Sequence, residues 1–309
     1  MIQKVALIGM GAIGAFFAPR LYETLGEDFW LIAAGERKKR LSTRGVTLNG
    51  VNYRFPIHEP SDRRKADLVI IATKEMGLDS ALEDIKNCVG PDTLILPILN
   101  GIESEERTAA VYGWERVLYS YMRIPIVMKD GCADFDPNGG YVFFGEKKNE
   151  VLSPRVQAVD EVMTRCGIPH QIPEDMIHGI WFKFMTNIGE NMTCALLGVP
   201  YGAFRSSEDA DFIRVEAMKE VAAIAAKKGI ELGEKEFDKL KELLKTAPAA
   251  NKPSTLQDIE TGRPTEVAMF SGTVMRLGKE LDVPTPVNAL LYHGIRVLEE
   301  KNAGQIAGM

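Results

Sequence analysis

The sequence predicts an open α/β fold in its first part and an all-helical second part, on three observations. A glycine turn, Gly9-Met10-Gly11-Ala12-Ile13-Gly14, follows the apolar run Val5 to Ile8 and opens into helix-like sequence from Ala15 to Leu25. Short apolar runs then alternate with helical stretches as far as Cys166. From Glu174 onward the apolar spacing is helical alone. Strands alternating with helices are the pattern of a parallel sheet with crossover connections. A glycine turn between the first strand and the first helix makes that sheet Rossmann-type.

In that turn Gly9 permits the tight bend, Gly11 lets backbone N–H groups approach a pyrophosphate, and Gly14 lets the helix pack closely on the strand. Gly9, Met10, Gly11, Ala12, Ile13 and Gly14 are therefore the expected dinucleotide contacts, against the alternative of a purely structural turn. Lys4 with Val5 to Ala18 also has the outline of a short secretory signal. The run is too short to span a bilayer, and Pro19-Arg20 stands where a small-residue cleavage site belongs, so a cytoplasmic location is expected.

A second strand, Phe29 to Ala33, leads into the charged run Glu36-Arg37-Lys38-Lys39-Arg40. NAD-binding chains place an acid at this strand end, whereas NADP-binding chains avoid it and set cations near the extra phosphate. Ala33-Ala34-Gly35 offers no carboxylate, so NADP is favoured, with Arg37, Lys38 or Arg40 left to meet the extra phosphate. Glu36 keeps NAD open as the less favoured cofactor, and the alternative for the whole run is a solvated helix face.

Strand Asp67 to Ala72 precedes helix Asp79 to Cys88, and strand Thr93 to Leu99 precedes helix Glu103 to Tyr112. Further strands are expected over Val117 to Met128 and Tyr141 to Gly145, separated by the turn-rich Asp130 to Gly140. A helix from Ser153 to Cys166 closes the first domain. Pro169 and Pro173 bracket a linker, which divides the chain into a dinucleotide-binding domain, 1–170, and a helical substrate-binding domain, 171–309. The second contains helices over Met176 to Met192, Ala203 to Lys228, Glu234 to Lys245, Thr265 to Leu281 and Val287 to Glu299. A cleft between two such domains is the expected substrate site.

Composition narrows the function classes. At 309 residues the chain suits two domains, and its formal net charge of −6 disfavours a nucleic-acid or membrane-surface partner, both of which need a basic field. Cys88, Cys132, Cys166 and Cys194 are scattered, as are His58, His170, His178 and His293, so neither a metal site nor a disulfide framework is expected.

Ligands of open α/β sheets sit at the carboxyl ends of strands, which marks Thr73-Lys74 and Asn100-Gly101 beside the glycine turn. Lys74 reads alternatively as a solvated loop lysine, and Asn100-Gly101 as a tight turn. In the helical part, Lys183, Asn187 and Asn191 recur at i, i+4 and i+8 among Trp181, Phe182, Phe184, Met185 and Ile188, which puts three polar groups on one face of an apolar helix. Buried polar groups need partners. A lysine so placed has the chemistry of a general acid, because burial lowers its pKa toward the working range. Ser254, in Ser254-Thr255-Leu256-Gln257, reads as a capping box, and Glu266, after Pro264, as an acid in a first helical turn.

Taken in order, these residues resemble the ketopantoate reductase (2-dehydropantoate 2-reductase) family: the glycine turn, Asn100-Gly101, Lys183 with Asn187 and Asn191, Pro200-Tyr201-Gly202, and Ser254 to Asp258 through Gly262-Arg263-Pro264-Thr265-Glu266. The resemblance covers nearly the whole chain. It implies NADPH-dependent reduction of 2-dehydropantoate, a small 2-keto acid, on the way to pantothenate and coenzyme A. It makes Lys183 the general acid and Glu266 the residue that orients it and bonds the substrate's hydroxyl side. Asn187, Asn191 and Ser254 would hold the substrate's polar groups, and Asn100 and Lys74 would lie where nicotinamide and substrate meet. Three places depart from the family pattern: Ala34 where many relatives carry arginine, Tyr201 where some carry asparagine, and Val267-Ala268-Met269-Phe270, which lacks a common acid. Two alternatives stand beside it, a reductase of another small 2-keto acid and a dinucleotide-sensing protein without turnover. An apolar helical face in the second domain would allow a homodimer.

Overall fold

The structure is a computed structural model that describes residues 1–124, 126 and 128–307. The chain folds as two compact units, 1–177 and 178–309. Unit 1 begins with β1 (Val5–Ile8), α1 (Ala12–Leu25), β2 (Phe29–Ile32) and α2 (Gly35–Arg44), followed by short strands β3 (Val46–Leu48), β4 (Val51–Tyr53) and β5 (Ile57–His58). It continues through β6 (Leu68–Ile71), α3 (Leu78–Asp84), β7 (Leu94–Pro97), α4 (Ser104–Tyr112), β8 (Tyr119–Arg123), β9 (Cys132–Ala133), β10 (Tyr141–Gly145), α5 (Pro154–Arg165) and β11 (His170–Gln171).

The main sheet has the order β5-β2-β1-β6-β7, with all neighbours parallel. Strands β1, β2, β6 and β7 are continuous apolar runs because both faces are covered. Side chains alternate across it. Val5, Leu7, Phe29, Leu31, Leu68 and Ile70 join one core with Phe17 of α1 and Val156 and Val159 of α5. Ala6, Ile8, Trp30, Ile32, Val69 and Ile71 join the other with Leu78 and Leu82 of α3. Each of the Val, Leu, Ile and Phe side chains among these contributes about 1.5–3 kcal/mol over its exposed state. The order reverses direction at β1 and β6, which defines the topological switch point.

Two three-stranded sheets, β11-β10-β8 and β4-β3-β9, complete the unit. The segment between Pro169 and Pro173, expected as a linker, instead holds β11, whose His170 and Gln171 pair with Val142 and Phe143. The strand expected over Val117 to Met128 is confined to Tyr119–Arg123 among the described residues, and Pro125 and Val127 lie outside them. The turn-rich Asp130 to Gly140 contains β9, which pairs with β3 through Thr47 and Leu48.

Unit 2 is helical. Helix α6 (Met176–Asn187) runs through a π-helical turn, Ile188–Met192, into α7 (Thr193–Leu197). After α8 (Ala203–Ser206) come α9 (Glu208–Lys227), α10 (Glu234–Thr246) and α11 (Ser254–Glu260). A second π turn, Ala268–Gly272, leads into α12 (Thr273–Leu281), and α13 (Pro286–Asn302) follows. The helix expected over Ala203 to Lys228 breaks at Ser207, whose hydroxyl accepts from the Ala210 amide at 3.2 Å and caps α9, a contact worth about 1 kcal/mol. Glu220 caps α13 from a distance, its carboxylate accepting from the Val287 and Asn288 amides at 2.7 and 2.9 Å. The two π turns pack on one another, and α11 packs on the first. No described helix is long and apolar enough to cross a membrane.

Candidate cofactor and substrate sites

At the switch point the three fingerprint glycines answer to different constraints. Gly9 has φ +101°, and a Cβ built on it would stand 2.5 Å from the Ala72 carbonyl carbon and oxygen and 2.7 Å from the Thr73 nitrogen. Only glycine fits between β1 and the end of β6. A Cβ on Gly14 would overlap the Gly9 carbonyl oxygen. Gly11, by contrast, has φ −100° and ψ −156°, and its Cβ would meet no atom within 4 Å. The protein leaves that space open.

Gly11 is the N-cap residue of α1, and no acid stands in the first turn. The amides of Ala12, Ile13 and Gly14 have no intrahelical acceptor, and with the helix dipole they favour an anion. The Met10 and Ile13 side chains pack against the core, so both residues would serve a ligand through their backbone. Thr73, one residue past Ala72, has a buried Oγ1 with no hydrogen-bond partner among the described residues. Sequence reasoning noted Thr73 only as part of a strand end, and this orphaned hydroxyl fits a polar ligand beside Gly9. Lys74 is exposed, Asn100 is half-buried beyond β7, and Gly101 takes φ +98°. These residues fit a dinucleotide.

The cationic run lies on α2, largely solvent-exposed. Lys38 Nζ donates to Glu59 Oε1 at 2.8 Å, and Lys39 lies 4.0 Å from Glu36. Arg37 is exposed and acts on Asp84, whose carboxyl is raised by burial against the pull of that guanidinium.

In unit 2, Lys183 and Asn187 are half-buried and Asn191 is 7% exposed. A straight α-helix would carry Asn191 about 80° round from Lys183. The wider i→i+5 turn between them rotates it back, so the π turn restores the shared face that the spacing suggested. Gly189 makes this turn possible where α9 presses in, since a Cβ there would lie 2.9 Å from the Arg214 carbonyl oxygen and overlap Met218. Phe184 stacks on Phe270 at 6.2 Å and joins α6 to the second π turn.

Ser254 and Glu266 correct the capping readings. Helix α11 begins at Ser254 with Pro253 as its N-cap residue, so the capping box does not form, and Ser254 stays exposed. Pro264 precedes the second π turn instead of opening a helix, and Glu266 is 9% exposed before that turn. Thr265 fixes the segment, its amide and hydroxyl donating to Glu299 Oε1 at 2.8 and 2.7 Å. Asn187 and Asn191 thus stand at and in the first π turn, Ser254 opens α11, which packs on that turn, and Glu266 precedes the second π turn, which packs on the first; Lys183 lies one helical turn before Asn187.

Two residues of this region escaped sequence reasoning as a pair. Glu190 lies in the first π turn, and Tyr201 sits in a turn held by Tyr201 N–H to Asn251 O (3.0 Å) and Gly202 N–H to Ala249 O (2.9 Å). Burial raises the Tyr201 phenol, and the nearby Glu190 raises it further. The signal was an acid inside an apolar helix. Burial also pushes the Cys88 and Cys194 thiols up to about 12, so neither serves as a nucleophile. Among the described residues no group of three His, Cys, Asp or Glu side chains would hold a metal ion.

Residues 5–146 match the family model of ketopantoate reductase PanE/ApbA, and residues 175–299 match its C-terminal model. The chain is 29% identical to the 2-dehydropantoate 2-reductase of Pyrococcus horikoshii, over 98% of this chain and 99% of that protein. It is 24% identical to that of Aquifex aeolicus, over 97% and 98%. Among solved structures, D-mandelate dehydrogenase in ternary complex with NADH and anilino(oxo)acetate superposes with a TM-score of 0.86 at 23% identity, covering 97% of this chain and 99% of that one. A PanE/ApbA family ketopantoate reductase from Ralstonia eutropha JMP134 gives 0.83 at 23% identity, with the same coverage. With two models of one family matched in order along both units, and with relatives aligned end to end, the chain belongs to the ketopantoate reductase family.

Proposed function

We propose that the chain reduces 2-dehydropantoate to pantoate with NADPH, Lys183 supplying the proton. The observation that carries this reading is the end-to-end likeness to relatives named for that reaction. Bound NADPH would supply a hydride to the C2 carbonyl carbon. Gly9 to Gly14 would hold its pyrophosphate on the α1 amides, with Thr73, Lys74, Asn100 and Arg37 as further contacts. Lys183 holds a proton for the carbonyl oxygen, which becomes the product hydroxyl, so one hydride and one proton convert ketone to alcohol. The same ammonium attracts the substrate carboxylate and stabilises the developing oxyanion. Glu266 orients Lys183 and takes the substrate hydroxyl, while Asn187, Asn191 and Ser254 hold the remaining polar groups.

A second reading, a reductase of another small 2-keto acid that uses NADH, is favoured by Tyr201 and the Val267-Ala268 segment for the acid, and for the cofactor by Ala34, which puts no cation where many relatives carry arginine, and by the engagement of Lys38 with Glu59. Loss of nucleotide absorbance with 2-dehydropantoate and other 2-keto acids, each with NADPH and NADH, separates the two. Fastest turnover of 2-dehydropantoate with NADPH supports the first. Preference for a different acid removes it.

A further inference from the structure

The carboxyl ends of β2 and β5 lie side by side, with Leu31 paired to Ile57 and Ile32 to His58. The Ala33 amide donates to the His58 carbonyl at 3.1 Å. Glu59 therefore leaves the sheet rim beside Ala33-Ala34-Gly35, the turn where dinucleotide folds meet the adenosine ribose. That turn carries nothing longer than a methyl group. One helical turn on, the Lys38 amide donates to the Ala34 carbonyl at 3.2 Å, and the Lys38 ammonium donates to Glu59 Oε1 at 2.8 Å.

Glu59 is held in place by its own loop. Its amide donates to Asp62 Oδ2 at 2.9 Å, and the Asp62 amide donates to its carbonyl at 2.9 Å. Asp62 lies 3.3 Å from His58 Nδ1 and adds a second negative charge facing Lys38, whose ammonium is held above its usual range by Glu59 first. Arg64 brings no relief to this corner. Its guanidinium is committed to His58 Nε2 (3.1 Å), Asp28 (3.1 Å) and the Trp30 ring (4.3 Å).

We infer that Glu59 is a cofactor-specificity residue: by occupying Lys38 and setting a carboxylate beside the β2 end, it narrows the chain's preference for NADPH over NADH. The inference rests on the reading of unit 1 as a nicotinamide-dinucleotide site. A ribose 2′-phosphate arriving there competes with Glu59 for Lys38 and is repelled by the carboxylate. Ribose hydroxyls are not repelled, and they donate to a carboxylate. Lys38 and Glu59 are 39% and 43% exposed, so solvent and salt moderate the effect.

Glu59→Gln tests this with dissociation constants for NADPH and NADH, read from nucleotide fluorescence at low ionic strength. The substitution keeps the side chain's size and removes the negative charge that holds Lys38, leaving a neutral acceptor that a phosphate displaces more readily. NADPH binding tightens about tenfold, the low end for a freed charge-assisted bond, while NADH changes by less than about threefold. Adding Lys38→Gln removes the gain, and raising the salt shrinks it. An unchanged NADPH-to-NADH ratio in a variant with native melting behaviour overturns the inference. So does weaker NADPH binding, which would make Glu59 a residue that presents Lys38 to the phosphate. A wild-type chain that binds neither nucleotide overturns the dinucleotide reading of unit 1, and this inference with it.

Discussion

Replacing Gly11 by valine separates a glycine kept for a ligand from one kept for the fold. At φ −100° and ψ −156° the backbone of Gly11 suits a β-branched residue, and a Cβ there meets nothing within 4 Å. The cost to folding is confined to a poorer N-cap residue, about 1 kcal/mol. For a unit of 177 residues that lowers the melting temperature by about 2–4 °C. The two methyl groups occupy the open space over the α1 amides. A pyrophosphate displaced from two amides loses two charge-assisted hydrogen bonds, about 3–6 kcal/mol, or roughly 10²–10⁴-fold in affinity. Nucleotide fluorescence titration with NADPH, run beside differential scanning calorimetry, reads both numbers on one preparation. Gly9→Ala is the contrasting variant. Its φ of +101° and the 2.5 Å approach to Ala72 make it destabilising whether or not a ligand is present. Unchanged NADPH affinity in folded Gly11→Val would refute the assignment of that space to the cofactor.

Three further outcomes are expected. Lys183→Ala lowers kcat by about 10²–10⁴-fold and leaves the NADPH dissociation constant near the wild-type value; wild-type kcat would remove Lys183 as the proton donor. Ser254→Ala raises KM for the keto acid with a melting temperature unchanged within about 1 °C, because the exposed hydroxyl does not cap α11, whereas a capping serine would cost about 1 kcal/mol. A chromogenic disulfide reagent near neutral pH modifies Cys132 rapidly and the buried Cys88, Cys166 and Cys194 only after unfolding, so rapid reaction of more than one thiol in the folded chain would contradict the burial of those three.

The parts of the fold legible in the sequence are those written locally. Val5–Ile8, Leu68–Ile71 and Leu94–Pro97 are unbroken apolar runs with helices between them, and such runs announce a sheet covered on both faces. Strand β11 was hidden because His170 and Gln171 are strand only through pairing with β10, far away in the sequence. Strands β3, β4 and β9 escaped for the same reason, each three residues or fewer and held by its neighbours. In the candidate site the spacing of Lys183, Asn187 and Asn191 was visible. The π turn that aligns them was not, since it depends on how Gly189 meets α9. Ser-x-x-Gln at Ser254 carries the letters of a cap, yet the preceding Pro253 takes the cap position with its extended backbone.

The π turn at Ile188–Met192 also bears on how this chain tolerates changes in length. The turn takes up one residue more than an ordinary helical turn, so closing it by the removal of one residue would leave everything downstream to the end of α7 near its present heading. Asn187, Thr193, Cys194 and Leu197 would all keep their aim, and only the residues at 188–192 would be re-aimed. Closing the turn with its length kept would instead rotate the downstream part by about 80–100°, re-aiming one half of a helix against the other. Libraries that vary length as well as residue type at 188–192 would therefore separate loss of the π turn from rotation of the helix beyond it.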